Sequence, residues 1–170
     1  DRYRQGKPAP TLADPGDAEV TRLVEAATLA RDLINIPAND LGPDAFEAEI
    51  RAFAEARKMD IAVTAGDDLL KAGFPMIHAV GRASAQAPRL VDLTWGKADD
   101  PKVTLVGKGV TFDTGGLDIK SAAGMLIMKK DMGGAANVLG LAHAIVSAKL
   151  RVRLRVLIPI VENAIAGASF

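Results

Sequence analysis

Cysteine is absent from this 170-residue chain, which excludes disulfide frameworks, thiolate metal sites and cysteine nucleophiles. Histidine is nearly absent: His78 and His143 are too few for a zinc site built on imidazoles, so any metal has to use carboxylates. Net charge is lacking as well. The 21 Lys+Arg cancel the 21 Asp+Glu, leaving no basic footprint for nucleic acid or an anionic membrane surface. No apolar run approaches the roughly 18 residues of a membrane span, and the start DRYR lacks the apolar stretch of a signal peptide. Aromatics make up 4% of the chain, with Trp95 the single tryptophan, so no stacking platform is present. What is there is a globular composition, 49% apolar and 25% charged, of a length that suits one main core. For a cysteine-free chain of this kind the cytoplasm is the expected compartment.

Residues 5–16, QGKPAPTLADPG, hold three Pro and two Gly and read as a linker. From Asp17 onward, Val20, Leu23, Val24, Ala27, Ala30 and Ile34 recur at helical spacing and predict one buried stripe on a helix that ends before Pro37. Pro43 suits the first position of a second amphipathic helix, carrying Phe46, Ile50 and Phe53 and running to about Lys58. Short apolar runs at Ile61 to Thr64, Met76 to Val80 and Leu90 to Trp95 read as strands, with a helical turn around Leu69 and Leu70. A longer β-branched run, Lys102 to Phe112, reads as one strand, followed by an Ala-rich helix over Gly133 to Lys149. The segment RVRLRVLIPIV from Arg151 alternates and then turns wholly apolar, as a strand buried on both faces does. Helices interleaved with such strands predict an α/β fold, a layered sheet with largely parallel strands flanked by helices.

The chemistry concentrates between Gly107 and Gly134, where seven of the 16 Gly, three Asp and four Lys fall between two buried elements. In open α/β sheets the ligand crevice lies beyond the carboxyl ends of the strands, and this segment leaves such an end. Asp113 stands where the apolar run stops, before Thr114-Gly115-Gly116; Asp131 stands before Met132-Gly133-Gly134. Paired glycines let the backbone turn sharply beside each carboxylate. Lys108 falls inside the apolar run and is expected to be buried, where a lysine either pairs or loses its proton and becomes a possible metal donor. Lys120, past the glycine turn, is a candidate for holding a developing oxyanion. Asp and Lys in glycine loops are commonly solvated turn residues, and it is their concentration that singles out this segment. A P-loop fails, because Gly109 follows Gly107-Lys108 where Ser or Thr is required and Lys102 stands at the first glycine position. His78 and His143 read as structural, Arg151, Arg153 and Arg155 as a salt-bridged or subunit-facing surface, and Met125 and Met128 as core or pocket lining.

Three blocks in order, VGKGVTFDTGG, LDIKSAAGM and MKKDMGGAANV, closely resemble the leucyl aminopeptidase (cytosol aminopeptidase) family of dinuclear metallopeptidases. RDLINIPANDLGPDAF at Arg31 to Phe46 and VENAIAG near the end extend the resemblance across residues 17–170. The resemblance implies that Lys108, Asp113 and Asp131 are ligands of two divalent metal ions, zinc or manganese, with Asp113 bridging. It implies that Lys120 is the catalytic lysine stabilising the tetrahedral intermediate and that Met128 lines the pocket for the substrate's first side chain. The expected substrates are peptides with a free N-terminus, leucine and similar residues being released, and the expected assembly is a hexamer.

Two departures temper this. Ser121 stands where the family commonly has Pro, and the family's further motif, of the form Asn-Thr-Asp-Ala-Glu-Gly-Arg, is not in the sequence. Two metals wanting four or more donors each are not satisfied by two Asp and one Lys. With Asp1 in place of an initiator Met, the expected organisation is a linker or domain remnant over residues 1–16 and, over 17–170, the N-terminal part of the catalytic domain, truncated and inactive by itself. Two other readings stand beside it: a non-catalytic binding or assembly module that keeps the fold, and an actin-like phosphate-binding ATPase, whose loops the strand-Asp-Thr-Gly-Gly order superficially resembles.

Overall fold

The computed structural model describes residues 17–167 and Ser169; the linker or remnant expected over residues 1–16 lies outside the described residues. In chain order the elements are helices α1 (Ala18–Asn35) and α2 (Pro43–Arg57), strand β1 (Asp60–Ala65), helices α3 (Asp68–Lys71) and α4 (Pro75–Gly81), and strands β2 (Arg89–Trp95), β3 (Lys102–Val106) and β4 (Gly109–Asp113). Helix α5 (Ala122–Met125), a 3-10 helix (Met128–Met132), helix α6 (Gly133–Ser147) and strand β5 (Arg153–Asn163) follow.

β5 is the axis of the sheet. β2 pairs with it antiparallel on one side and carries β1, also antiparallel, at the edge. On the other side β3 and then β4 run end to end, both parallel to β5. Four of the five strands therefore point the same way and β2 alone opposes them, which meets the expectation of a layered α/β sheet with largely parallel strands. Alternation along β5 separates the faces. Leu154, Val156, Ile158 and Ile160 are fully buried and join Val91 and Leu93 of β2 against one helical layer. That layer supplies Leu33 from α1, Phe46, Ile50 and Phe53 from α2, and Ala135, Ala136 and Leu139 from α6. Arg153 and Arg155 point to the opposite, exposed face, where Arg155 holds Asp92 through two nitrogens at 2.7–3.1 Å. Arg151 precedes the strand and pairs with Asp100 at 3.4 Å.

Polar contacts pin the helical layer. His143 of α6 accepts from Arg57 Nε at 3.1 Å and lies 3.1 Å from Glu25 of α1 through its other ring nitrogen, so one histidine joins three helices. Its expected structural role is what the contacts describe. Arg89, only 7% exposed, reaches Glu47 at 2.6 Å and Asp44 on α2 and donates to the Ala87 carbonyl at 3.0 Å. Burial works to raise the Glu47 carboxyl, but hydrogen bonds from Arg89 and Arg51 outweigh it and hold the group below the ordinary carboxylate range.

Four expectations are corrected. Met76 to Val80 is helical: Pro75 opens α4, and the spacing of Met76, Ile77 and Val80 is a helical stripe that sits against the end of β5 beside Pro159 and Val161. A five-residue apolar run does not distinguish the two periods. His78 consequently lies on a helix, 3.1 Å from Asp67. The run Lys102 to Phe112 is two strands, interrupted at Gly107-Lys108. Lys108, expected inside the run and buried, sits in that interruption with a side chain 58% exposed, because the strand breaks there and its side chain turns out to Asp131. Finally, the stripe on α1 is buried only at its C-terminal half: Ala30 and Leu33 are in the core, whereas Val20, Leu23 and Val24 are 51%, 57% and 58% exposed.

Candidate metal centre

Asp113 is the last residue of β4. Beyond it the chain reverses through Thr114, Gly115 and Gly116 at positive φ for both glycines, and a Cβ at Gly115 would collide with the carbonyl oxygen of Asp118. The turn folds Lys120 back, its amide donating to the Thr114 carbonyl at 2.9 Å, and puts its ammonium 3.0 Å from Asp113 Oδ2. Asp113 Oδ1 accepts from the Gly115 amide at 2.9 Å and from Asn163 Nδ2 at 2.8 Å. The Asp113 side chain is 17% exposed. Burial pushes its carboxyl up, while Lys120, the Gly115 amide and Asn163 together overcome that and keep it below the usual range, ionised.

Asp131 comes from the 3-10 helix, which packs against β4. That helix is anchored by fully buried Met132 and by Lys129, whose ammonium donates to the Asn35 carbonyl at the end of α1 at 2.8 Å. Lys108 Nζ is 2.8 Å from Asp131 Oδ1 and 2.7 Å from Oδ2. Oδ2 is buried and has that ionic contact but no aligned hydrogen-bond donor, so a carboxylate lone pair remains uncommitted. Lys108 is held by its backbone: its carbonyl accepts from the Ala135 amide at 2.9 Å, at the start of α6. The approach needs glycine, since a methyl on Gly107 would stand 2.7 Å from Cα of Ala135 and 2.9 Å from the Gly134 carbonyl. Gly107→Ala is therefore expected to cost about 2 kcal/mol and to lower Tm by about 4–8 °C. A melting curve that superimposes on the parent's would mean that strand and helix can separate freely at this point.

Both Asp113 and Asp131, with Lys108 and Lys120, are thus brought to adjoining elements as two lysine–carboxylate pairs. Met128 opens the 3-10 helix, half-buried, next to Leu126 and Ile127, which are 81% and 52% exposed. Asn163 was not singled out in the sequence; the signs of it there are its place at the end of the last apolar run and inside the VENAIAG block. The donors present, two carboxylates and an amine, are of the type zinc and manganese accept. The uncommitted oxygen of Asp131 fits such an ion. No group of three or more His, Cys, Asp or Glu converges among the described residues, so the donors fit part of a coordination shell. The phosphate-loop reading loses its donors: the amides of Gly115 and Gly116 are already given to Asp113 Oδ1 and Thr114 Oγ1.

The family model described as the cytosol aminopeptidase family, catalytic domain, matches residues 28–170. A protein described as a probable cytosol aminopeptidase, from Corynebacterium diphtheriae, is 40% identical over 99% of this chain and 36% of its own length. Among solved structures, the cytosol aminopeptidase of Coxiella burnetii superposes with a TM-score of 0.86 at 52% identity, over 89% of this chain and 33% of that one. The bottromycin maturation enzyme BotP in complex with Mn gives 0.83 at 45% identity, over 89% and 33%. The chain spans about a third of the length of these relatives.

Proposed function

Since the chain belongs to the cytosol aminopeptidase family, we propose that it supplies part of the metal and catalytic machinery of a metalloaminopeptidase that releases leucine and similar residues from peptides with a free N-terminus. The observation that carries the reading is the pairing of Lys108 with Asp131 and Lys120 with Asp113 on neighbouring elements at the end of β4. In this reading Lys108, Asp113 and Asp131 would hold two divalent ions, zinc or manganese. Bound ions of that kind supply Lewis-acid charge and activate water at neutral pH. Asp113, whose carboxyl is held low by Lys120, the Gly115 amide and Asn163, and Asp131 would contribute carboxylate oxygens, and Lys120 would face an oxygen that gains negative charge as a peptide carbonyl is attacked. Met128, with the apolar side chains beside it, borders the substrate's first side chain.

Residues 17–170 would act as the opening part of a catalytic domain, within a cytoplasmic, hexameric enzyme. The donor set is incomplete, so the 170-residue chain alone is proposed to bind metal weakly and to be inactive. Titration calorimetry with manganese and zinc, beside a leucine p-nitroanilide assay, tests this. The expected result is weak saturable binding that Asp131→Asn abolishes, without turnover. Absence of binding, or binding indifferent to Asp131→Asn, would overturn the site; turnover by the chain alone would overturn its incompleteness.

A further inference from the structure

Asp113 is gripped from the neighbouring strand as well as from its own turn. β4 and β5 pair in step from Gly109 opposite Ile160 to Val110 opposite Val161; then three residues of β4 advance against two of β5, and Asp113 arrives opposite Asn163. Such a bulge re-aims the side chain that follows it. Asn163 Nδ2 then donates to Asp113 Oδ1 at 2.8 Å, beside the Gly115 amide at 2.9 Å on the same oxygen. A carboxylate only accepts, so the amide nitrogen of Asn163 is the atom that faces it. The backbone of Asn163 is itself fixed, its main-chain carbonyl accepting from the Thr114 amide at 3.1 Å and from Thr114 Oγ1 at 2.7 Å. Two donors occupy Oδ1, the carboxylate plane is set, and Oδ2 is the oxygen left toward Lys120.

We infer that Asn163 is a positioning residue for the metal-binding carboxylate of Asp113, committing Oδ1 to the fold and leaving Oδ2 as the oxygen offered to a divalent cation. The inference rests on the reading of Asp113 as a metal ligand. Groups that hydrogen-bond a metal ligand orient it before the ion arrives, and their loss typically weakens metal binding 10- to 100-fold.

Manganese affinity of the purified protein, followed by electron paramagnetic resonance of the free ion, and Tm in EDTA test it together. Asn163→Leu keeps the approximate volume and removes the donor. It is expected to weaken manganese binding about 10- to 100-fold while lowering the metal-free Tm by no more than about 4 °C, the effect of one lost hydrogen bond. Thr114→Val removes the Thr114 Oγ1 bonds to the Asn163 main-chain carbonyl and from the Gly116 amide but keeps both hydrogen-bond donors to Asp113 Oδ1; it is expected to lower Tm by about 4–8 °C and to leave affinity within about threefold. If Asn163→Leu does not fold, Asn163→Ala takes its place with the same expectation. Parent-like affinity in either Asn163 variant, with binding lost in Asp113→Asn, would overturn the positioning role and leave the metal site standing. Equal loss of affinity in Thr114→Val would reduce Asn163 to a structural part. No manganese binding by the parent would remove both readings at once.

Discussion

On the proposed function, Lys120→Ala should lower kcat of an aminopeptidase that contains this chain by about 100- to 1,000-fold, the range seen when one donor to a developing oxyanion is removed, with KM nearly unchanged. The lysine is well placed for a charge-stabilising task. Its side chain is 31% exposed, so it can face a substrate, and the turn at Gly115 and Gly116 fixes its approach to Asp113. Its removal leaves Asp113 with the Gly115 and Asn163 hydrogen bonds, so the carboxylate stays oriented and metal content should be retained. Metal analysis beside steady-state kinetics separates the outcomes. Activity within about threefold of the parent would take Lys120 out of the chemistry. Loss of activity together with loss of metal would make it a support for Asp113 instead.

Arg89→Met should destabilise the protein by about 3 kcal/mol, the lower end for breaking a buried ion pair, which corresponds to a Tm lower by about 6–12 °C. The lower end applies because Asp44 is 65% exposed and recovers water, whereas Glu47 is 15% exposed and does not. The sign with pH follows from Glu47. A carboxyl held below its unfolded value adds stability above that value and loses it as pH falls through the folded one. The difference between parent and variant should therefore be full at neutral pH and narrow in acid, below about pH 4. Thermal melting at pH 7 and pH 3.5 checks both parts; equal melting temperatures at pH 7 would show that Arg89 is dispensable.

Much of this architecture is legible from local chemistry. Pro43 opens α2 and Lys58 closes it in a left-handed conformation, and Asp17 caps α1 through the Glu19 amide. Residues 153–156 of β5 alternate in burial as they do in sequence, whereas in the apolar half expected to be buried on both faces Leu157 and Pro159 are only half-buried, because they point away from the helical layer that covers Leu154, Val156, Ile158 and Ile160. The glycine-rich segment gave up both carboxylates and both lysines, since only a chain that must turn sharply beside charged groups needs that composition. What was hidden depends on distant partners. Lys108 falls out of the strand because its carbonyl is taken by α6, 27 residues on. Val20, Leu23 and Val24 have the period of a buried stripe, but period does not say how far the layer beneath extends. Asn163 acquires its role only through a one-residue bulge in another strand, which leaves no mark on the sequence around it.

The position of β5 has a consequence for how the molecule comes together. Among the described residues it is the last of the five strands in sequence and the only one to which β2, β3 and β4 all attach. Until residues 153–163 are in place, the β1–β2 pair and the β3–β4 edge are separate pieces with no ladder between them. Their union closes long loops, including the 50-residue span from Asp113 to Asn163, and long-range closures of this kind are slow steps in folding. The clamp on Asp113 is then among the latest contacts to form, and until it closes the carboxylate is free to turn.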